Sequence, residues 1–172
     1  MKINFKDHIR NIPDFPKAGI LFRDITTLLG HKKAFKSALD QIVAKYKNKK
    51  IDVVVAVEAR GFILGGAIAH KLNAGFVPVR KKGKLPWKTH SATYELEYGT
   101  DTLQMHHDAL KPNDKVLIVD DLLATGGTVK AVTELVKQQG AKISGIAFLI
   151  ELTDLNGKTK LSGYPVFSLI KY

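Results

Sequence analysis

Four short apolar runs, separated by stretches of helical spacing, constrain the fold of this chain more than any other feature. The runs are Asp52–Val57, Gly75–Val79, Lys115–Val119 and Ile143–Ile150. Continuous apolar runs are typical of strands that are covered on both faces of a sheet. Buried strands that alternate with helices indicate an α/β fold, in which helices flank a mainly parallel central sheet. Because ligands of such folds bind beyond the carboxyl ends of the strands, chemistry is expected after Val57, Val79 and Val119.

Helical spacing fills the gaps between these runs. Apolar residues recur every three or four positions over His31–Tyr46, and Phe62–Leu72 and Gly127–Gln139 are two further predicted helices. Near the amino terminus, residues 4–10 predict a short helix. The segment from Asn11 to Phe22 is punctuated by proline and glycine and is predicted to be irregular.

The middle of the chain carries a basic segment followed by two weaker strands. Lys81–Ser91 is polar and weakly patterned, which predicts a long mobile loop. Thr93–Tyr98 and Thr102–His107 predict an antiparallel pair that turns at Gly99. A last short strand is predicted at Val166–Ile170.

Composition limits the class of protein. The 172 residues, of which 45% are hydrophobic and 25% charged, fit a single domain over residues 1–172. The chain has no cysteine, which excludes disulfides and thiolate chemistry and fits a cytoplasmic location. The apolar runs are too short to span a bilayer. The net charge of +11 attracts polyanions, so a nucleic acid, a highly phosphorylated small molecule and an ordinary solvated surface all stay open.

The most informative motif begins where the third apolar run ends. Two adjacent carboxylates, Asp120 and Asp121, are followed by a short turn with two glycines that opens a helix. Glycine allows backbone N–H groups to approach an anion closely, and the helix N-terminus adds a favourable dipole. The hydroxyl groups of Thr125 and Thr128 add further donors. This part of the chain therefore predicts a cradle for a terminal phosphate.

Other phosphate-binding motifs do not account for this turn. The Gly-Lys-Ser/Thr sequence of a Walker A loop is absent, and so is the Gly-x-Gly-x-x-Gly dinucleotide fingerprint. Two acids beside a phosphate suit a ligand with neighbouring hydroxyl groups, which describes a ribose 5-phosphate. For each residue taken alone, an ordinary strand–turn–helix junction with a threonine cap is the alternative interpretation.

The motif resembles the phosphoribosyl pyrophosphate signature of the type I phosphoribosyltransferases. Further segments resemble the adenine-specific branch of that family, in one order from about residue 11 onward. They are Pro13–Pro16, Gly19–Asp24, Ala59–Phe62, Arg80–Pro86 and Tyr94–Gly99. The resemblance implies the type I fold, with a small amino-terminal hood segment and a flexible antiparallel loop. It also implies a role in purine salvage, in which the 5-phosphoribosyl group of phosphoribosyl pyrophosphate is transferred to adenine to give AMP and pyrophosphate.

The resemblance assigns several residues to the phosphoribosyl pyrophosphate. Those of the signature are Asp120, Asp121, Ala124, Thr125, Gly126, Gly127 and Thr128. Arg60 is implied in catalysis and in pyrophosphate binding, on a loop that in the family often contains a cis non-proline peptide bond. The alternative role of Arg60 is a salt bridge to Glu58 or to another local acid.

The basic residues after the second apolar run are implied to serve a neighbouring subunit. Related dimers bring this stretch toward the pyrophosphate of the partner's site, which implies a homodimer and a binding role for Arg80, Lys81 and Lys84. A solvated charge run is the alternative interpretation. After the following Leu-Pro, relatives frequently carry Gly-Pro, whereas this chain has Trp87 and Lys88, and the role of Trp87 stays open.

A third set of residues is implied to bind adenine. The main chain of Leu21 and Arg23 is implied to read the hydrogen-bonding edge of the base, and Phe22 to stack on its flat face. From the sequence alone, Phe22 is better interpreted as a core side chain.

The resemblance implies that Glu97 acts as the acid/base residue toward adenine and that Tyr98 helps to close the site. Glu95 would share a strand face with Glu97, and only the family pattern selects Glu97. Magnesium is expected to arrive with phosphoribosyl pyrophosphate, whose oxygen atoms supply most of its ligands. No dedicated metal site is predicted, and His106 and His107, which point to opposite faces of a strand, are interpreted as structural.

Two alternative functions stay open on the sequence. One is phosphoribosyl transfer to another purine, and the other is a nucleic-acid-binding regulator on the same fold. The amino-terminal segment is too short for a helix-turn-helix, so a nucleic acid is not expected as a partner, and the short apolar runs argue against a membrane.

Overall fold

The computed structural model describes residues 3–95 and 99–172. The chain divides into two compact units, Met1–Gln41 and Ile42–Tyr172. A single domain over residues 1–172 stays a prediction.

The first unit is built on a short antiparallel ladder. Strand β1 (Arg10–Ile12) pairs with strand β2 (Phe22–Asp24). A 3₁₀ helix at Phe5–His8 precedes the ladder, and helix α1 (Thr26–Gly30) follows it. The helix predicted over residues 4–10 is therefore shorter, because the backbone enters the ladder at Arg10. The segment predicted to be irregular begins and ends inside these two strands.

The second unit contains a sheet of seven strands within the described residues. The strands are β3 (Val53–Val57), β4 (Gly75–Lys81), β5 (Thr89–Glu95), β6 (Thr100–His106), β7 (Lys115–Leu123), β8 (Lys142–Glu151) and β9 (Val166–Lys171). Their order along the sheet is β5-β6-β4-β3-β7-β8-β9. The five strands from β4 to β9 in this order pair in parallel, and β6 is antiparallel to both β4 and β5. The prediction of a mainly parallel sheet in an α/β fold is confirmed.

Helices follow the strands much as their spacing predicts. They are α2 (Lys32–Tyr46), α3 (Arg60–Leu72), α4 (Gly127–Gln138) and two 3₁₀ helices at Thr153–Leu155 and Gly157–Leu161. Helix α3 starts three residues after β3, and helix α4 starts four residues after β7, so each opens at the carboxyl end of a strand. None of the helices in the described part of the chain combines the length and apolar character that crossing a membrane requires.

The core of the second unit explains why the strand sequences are continuously apolar. Residues 54–57 of β3, 116–119 of β7 and 146–150 of β8 are almost completely inaccessible to solvent. On α4, Val129, Val132, Leu135 and Val136 are also buried, and their three- and four-residue spacing forms one apolar stripe. This packing fixes the strand ends from which the cleft described below is built.

The basic segment in the middle of the chain is more regular than its sequence predicts. Strand β4 continues to Lys81 and β5 begins at Thr89, so the connection between them is residues 82–88 rather than Lys81–Ser91. Lys81 lies opposite Leu103, and Thr89 lies opposite His106. Pairing with β6 therefore satisfies backbone groups at both ends of the predicted loop, which the polar side chains do not reveal.

Candidate active site

A cleft of about 410 Å³ opens at the carboxyl ends of β3 and β7. Its walls come from residues 57–60, from Lys81, Tyr94 and Leu103, and from residues 120–129. All seven signature residues and Arg60 lie in this cleft. The location agrees with the rule that parallel sheets place ligands beyond the carboxyl ends of their strands.

The turn before α4 is shaped by close contact between two glycines. Gly126, with φ of +80°, precedes α4, and a Cβ atom there would lie 2.4 Å from the carbonyl oxygen of Gly157. A Cβ atom on Gly157 would lie 2.1 Å from the carbonyl oxygen of Ala124. Since the first N–H groups of a helix have no partner within the helix, this turn presents donors for an anion. Gly157 was not predicted, because its contact with the turn joins residues that are 31 positions apart.

Two buried carboxylates lie next to this cradle. Asp120 and Asp121 are 9% and 6% exposed, respectively. The Oδ1 atom of Asp120 accepts a hydrogen bond of 2.9 Å from the Asp121 N–H. Helix α3 leaves room for Asp120 only because residue 61 is glycine: a Cβ atom there would lie 2.8 Å from the Asp120 Oδ1. Burial, and then the neighbouring charge of Asp121, raise the pKa of Asp120 well above its ordinary value.

Arg60, at the first position of α3, neutralises the second carboxylate. Its Nε lies 2.7 Å from the Asp121 Oδ2, and 37% of its side chain is exposed. Burial raises the pKa of Asp121, and the Arg60 charge offsets part of this increase. The acid that pairs with Arg60 thus comes from β7 and not from Glu58. The Glu58–Ala59 peptide bond in the preceding turn is cis, as the family resemblance implies.

Glu58 binds the end of β4 instead. One carboxylate oxygen accepts hydrogen bonds of 3.1 and 3.0 Å from the Arg80 Nε and Nη2, and the other accepts one of 2.7 Å from the Lys81 N–H. Burial acts to raise the pKa of Glu58, but the Lys81 N–H and the Arg80 guanidinium lower it below its ordinary value. Arg80 also donates to the carbonyl oxygen of Lys84 at 3.1 Å.

The three basic residues at and after the end of β4 therefore differ in position. Of these, Lys81 alone lines the cleft of its own chain; Arg80 and Lys84 are not among the residues that line it in the described structure. The Nζ of Lys81 lies 3.0 Å from the Asp101 Oδ2. A role of the three residues at a partner's site stays a prediction.

Tyr94 and Asp101 meet at the edge of the cleft, and no role was predicted for either of them from the sequence. Asp101 lies directly opposite Tyr94 in the β5–β6 ladder, and the Tyr94 hydroxyl lies 3.5 Å from the Asp101 Oδ2. Tyr94 and Thr128 both line the cleft. The only sequence signal was the aromatic Tyr94 on a predicted strand, and this signal does not reveal that Asp101 lies opposite it.

The residues predicted to bind adenine belong to the first unit. Leu21 precedes β2 and is 45% exposed, and Phe22, at the start of the strand, makes an edge-to-face contact with Phe15 at a centroid distance of 5.1 Å. The Arg23 guanidinium donates to the side chain of Asn11 on β1. Glu97 and Tyr98 lie outside the described residues.

Comparison with known proteins identifies the class to which this fold and cleft belong. The family model of the phosphoribosyl transferase domain matches residues 24–171. The adenine phosphoribosyltransferase of Brachyspira hyodysenteriae is 57% identical over 170 residues, which cover 99% of this chain and 100% of that protein.

Solved structures give the same result. The crystal structure of adenine phosphoribosyltransferase from Thermoanaerobacter pseudethanolicus superimposes with a TM-score of 0.95 at 52% identity, covering 98% of each chain. The enzyme of Saccharomyces cerevisiae, in complex with an imino-altritol bisphosphate and adenine, superimposes with a TM-score of 0.91 at 40% identity, covering 96% of each chain. The chain belongs to the adenine phosphoribosyltransferase family.

Proposed function

We propose that this chain is an enzyme of purine salvage, which transfers the 5-phosphoribosyl group from phosphoribosyl pyrophosphate to adenine and releases pyrophosphate. The observation that carries the proposal is the pair of buried carboxylates beside a glycine-built cradle at a helix N-terminus. A bare phosphate site gains nothing from two acids. A phosphate attached to a sugar with neighbouring hydroxyl groups uses both features at once.

Different residues of the cleft would bind the phosphate, the ribose and the pyrophosphate of the substrate. Residues 125–128 would hold the 5-phosphate through backbone N–H and hydroxyl donors. Asp120 and Asp121 would accept hydrogen bonds from the ribose hydroxyl groups. Arg60, whose guanidinium is partly exposed in the same cleft, would bind the pyrophosphate oxygens and stabilise the charge that develops on the leaving group.

The reaction exchanges one bond at the anomeric carbon of the ribose for another. The bond from this carbon to a pyrophosphate oxygen breaks, the bond to the adenine nitrogen forms, and the electron pair of the broken bond leaves with pyrophosphate. Adenine must lose a proton as the new bond forms, and we assign its acceptance to Glu97. Leu21, Phe22 and Arg23 are proposed to bind adenine, and Tyr98 is proposed to help close the site.

Magnesium is proposed to enter with phosphoribosyl pyrophosphate. Asp120 and Asp121 provide the hard oxygen atoms that this ion prefers, but Asp121 already pairs with Arg60. The fit is therefore to an ion whose ligands come mainly from the substrate. When bound, magnesium would neutralise charge on the departing pyrophosphate.

A homodimer is proposed as the working assembly. Ile63 on α3 and Phe76 on β4 are 48% and 38% exposed, and Phe76 makes an edge-to-face contact with Phe62 at 5.8 Å. Exposed apolar side chains on adjoining elements are typical of protein interfaces. They lie close in sequence to Arg80 and Lys84, which would be carried toward the partner's pyrophosphate, whereas Lys81 lines the cleft of its own chain. A cytoplasmic location is proposed from the absence of cysteine.

The direct test is base-dependent release of pyrophosphate from phosphoribosyl pyrophosphate. Adenine, hypoxanthine, guanine and xanthine are compared at equal concentration, each with magnesium and with a chelator. Of these combinations, only adenine with magnesium is expected to release pyrophosphate. Preference for another base would replace adenine in the proposal, and no release with any base would contradict it. Sedimentation under the assay conditions tests the dimer, which a fully active monomer would contradict.

A further inference from the structure

The ion pair between Lys81 and Asp101 stands at the edge of the cleft and is not explained by the signature motif. Lys81 lines the cleft, whereas Asp101 comes from β6 and belongs to none of the segments that carry the family resemblance. The Nζ and Oδ2 atoms are 3.0 Å apart. A cation that faces the substrate cleft is therefore already paired with an acid of the same chain.

Strand pairing puts this acid and this cation on the same face of the sheet. Lys81 is opposite Leu103 in the β4–β6 ladder, and Tyr94 is opposite Asp101 in the β5–β6 ladder. Asp101 and Leu103 are two positions apart on β6, so their side chains share a face. Asp101 is thus the diagonal neighbour of Lys81 on the face that adjoins the cleft.

The two partners are held to different degrees. The Asp101 Oδ1 accepts a hydrogen bond of 2.8 Å from the Thr102 N–H, and its Oδ2 also lies 3.5 Å from the hydroxyl of Tyr94, another residue that lines the cleft. The Asp101 side chain is 23% exposed, and that of Lys81 is 61% exposed. Lys81 is therefore the partner that is free to move toward another anion, while the carboxylate stays in place.

We infer that Asp101 is an internal counter-ion that competes with pyrophosphate for Lys81. The inference rests on the proposed function, which supplies pyrophosphate as the competing anion. When pyrophosphate enters the cleft, Lys81 exchanges the carboxylate for phosphate oxygens; when pyrophosphate leaves, Asp101 takes Lys81 back. The fixed carboxylate also repels the pyrophosphate, so Asp101 weakens retention of this product and favours its release.

If Asp101 competes for Lys81, removing its charge should change pyrophosphate affinity in the opposite direction from what is expected if Asp101 positions Lys81. Removing the charge with Asp101→Asn should tighten the binding of inorganic pyrophosphate by about two- to fivefold, the range expected for a partly exposed ion pair. If Asp101 merely positions Lys81 for its ligand, the same change should weaken binding. Titration calorimetry with pyrophosphate and magnesium, at fixed ionic strength, measures the difference.

Three further variants separate charge from structure. Asp101→Glu keeps the charge and should bind pyrophosphate like the wild type. Thr93→Val is the matched control, because Thr93 is exposed and its hydroxyl pairs with Thr102 at 3.1 Å without reaching the cleft; its affinity should not change. In a Lys81→Met background the gain from Asp101→Asn should shrink, because most of the competition has been removed.

Each outcome decides the inference. Tighter binding by Asp101→Asn that shrinks in the Lys81→Met background and is reduced at high salt supports it. Equal or weaker binding by Asp101→Asn, or the same change in Asp101→Asn and Asp101→Glu, overturns it while adenine-dependent turnover still supports the proposed function. A wild-type protein that binds no pyrophosphate overturns both.

Discussion

The two sides of the cleft are built by different means. On the side of β7 and α4, the phosphate cradle is shaped by backbone atoms in close contact, with Gly126 against Gly157 and Gly61 beside Asp120. On the side of β3, β4 and β6, cationic side chains lie in the cleft or, for Arg80, beside it, and each is paired with an acid of the chain. The pairs are Arg60 with Asp121, Arg80 with Glu58, and Lys81 with Asp101.

This difference indicates how each side meets its ligand. Backbone donors that packing holds in place need no rearrangement, so the cradle is ready for a phosphate before it arrives. Cations that are already paired must exchange one anion for another, and the affinity they provide is the difference between the two. The cradle side should therefore respond mainly to changes of shape, and the cation side mainly to changes of charge.

The largest effect is expected at Glu97, to which we assign proton transfer rather than substrate binding. Glu97→Gln keeps the size of the side chain but cannot take the adenine proton, so turnover should fall by about 10²- to 10⁴-fold with little change in substrate affinity. Single-turnover measurements isolate the chemical step from any slow closure or product release. Glu95→Gln is the control, and identical behaviour of the two variants would remove Glu97 from the reaction.

The next largest effect tests shape on the cradle side. In Gly157→Ala the added methyl group would lie 2.1 Å from the Ala124 carbonyl oxygen, so the turn must move. Such overpacking costs about 1–3 kcal/mol, and affinity for ribose 5-phosphate should fall by about tenfold or more. Gly30→Ala, where a methyl group meets no atom within 4 Å, should change neither stability nor binding appreciably. Wild-type affinity in Gly157→Ala would mean that the cradle is adaptable.

A smaller effect separates binding from stability at the buried carboxylates. Because burial raises the pKa of Asp120, the folded protein binds more protons than the unfolded chain, and wild-type stability falls as the pH rises above the ordinary value of 3.8. Asp120→Asn should therefore stabilise the free protein at neutral pH by about 1–2 kcal/mol. The gain should disappear as the pH falls below the ordinary value of 3.8, because the wild-type carboxyl is then protonated in both states.

Urea unfolding at several pH values measures this gain. Phosphoribosyl pyrophosphate binding, followed by calorimetry, should weaken in the same variant and further in Asp120→Asn with Asp121→Asn. A destabilised Asp120→Asn at neutral pH, or unchanged binding in the double variant, would contradict the assignment.

The smallest effect is a loss of stability on the cation side, at Glu58, opposite in sign to the gain expected from Asp120→Asn. Hydrogen bonds from the Lys81 N–H and Arg80 hold the pKa of Glu58 below its ordinary value of 4.5, although burial acts to raise it. The stability that Glu58 contributes is therefore present above that pH and is lost as the pH falls through the lowered pKa. Glu58→Gln should cost about 0.5–1 kcal/mol at neutral pH.

The same urea measurements give a paired comparison. The stabilities of Asp120→Asn and Glu58→Gln should lie on opposite sides of the wild type at neutral pH and converge with it in acid. Deviations of the same sign in both variants would show that the two sides of the cleft do not differ as proposed.

The sequence predicts most of the fold because its core is locally encoded. The valine-rich runs of β3 and β7 and the spacing of α2 place those elements within a few residues. The cradle residues were also found, because they are adjacent in the chain. The three-residue strands β1 and β2 were missed, since pairing rather than side-chain pattern defines them.

The partners within the site could not be predicted. The alternative role of Arg60, a salt bridge to an acid nearby in sequence, does not name the right partner, because the acid that pairs with Arg60 is 61 positions away on β7. The position of Asp101 beside Lys81 depends on the register of β6, since a one-residue shift would move Asp101 to the other face of the sheet. The contact of Gly126 with Gly157 likewise arises only when the chain is folded.

The contact between the cradle and Gly157 also bears on the order of events during synthesis. Ribosomes make Asp120 and the turn before α4 first, and the glycine that holds the turn in shape follows about thirty residues later. A nascent chain that ends before this glycine has the whole signature but lacks the backbone that shapes it. Stabilisation by bound substrate requires a formed site, so it becomes available only late in translation. Until then the chain is held by the packing of its helices and sheet, without help from bound substrate.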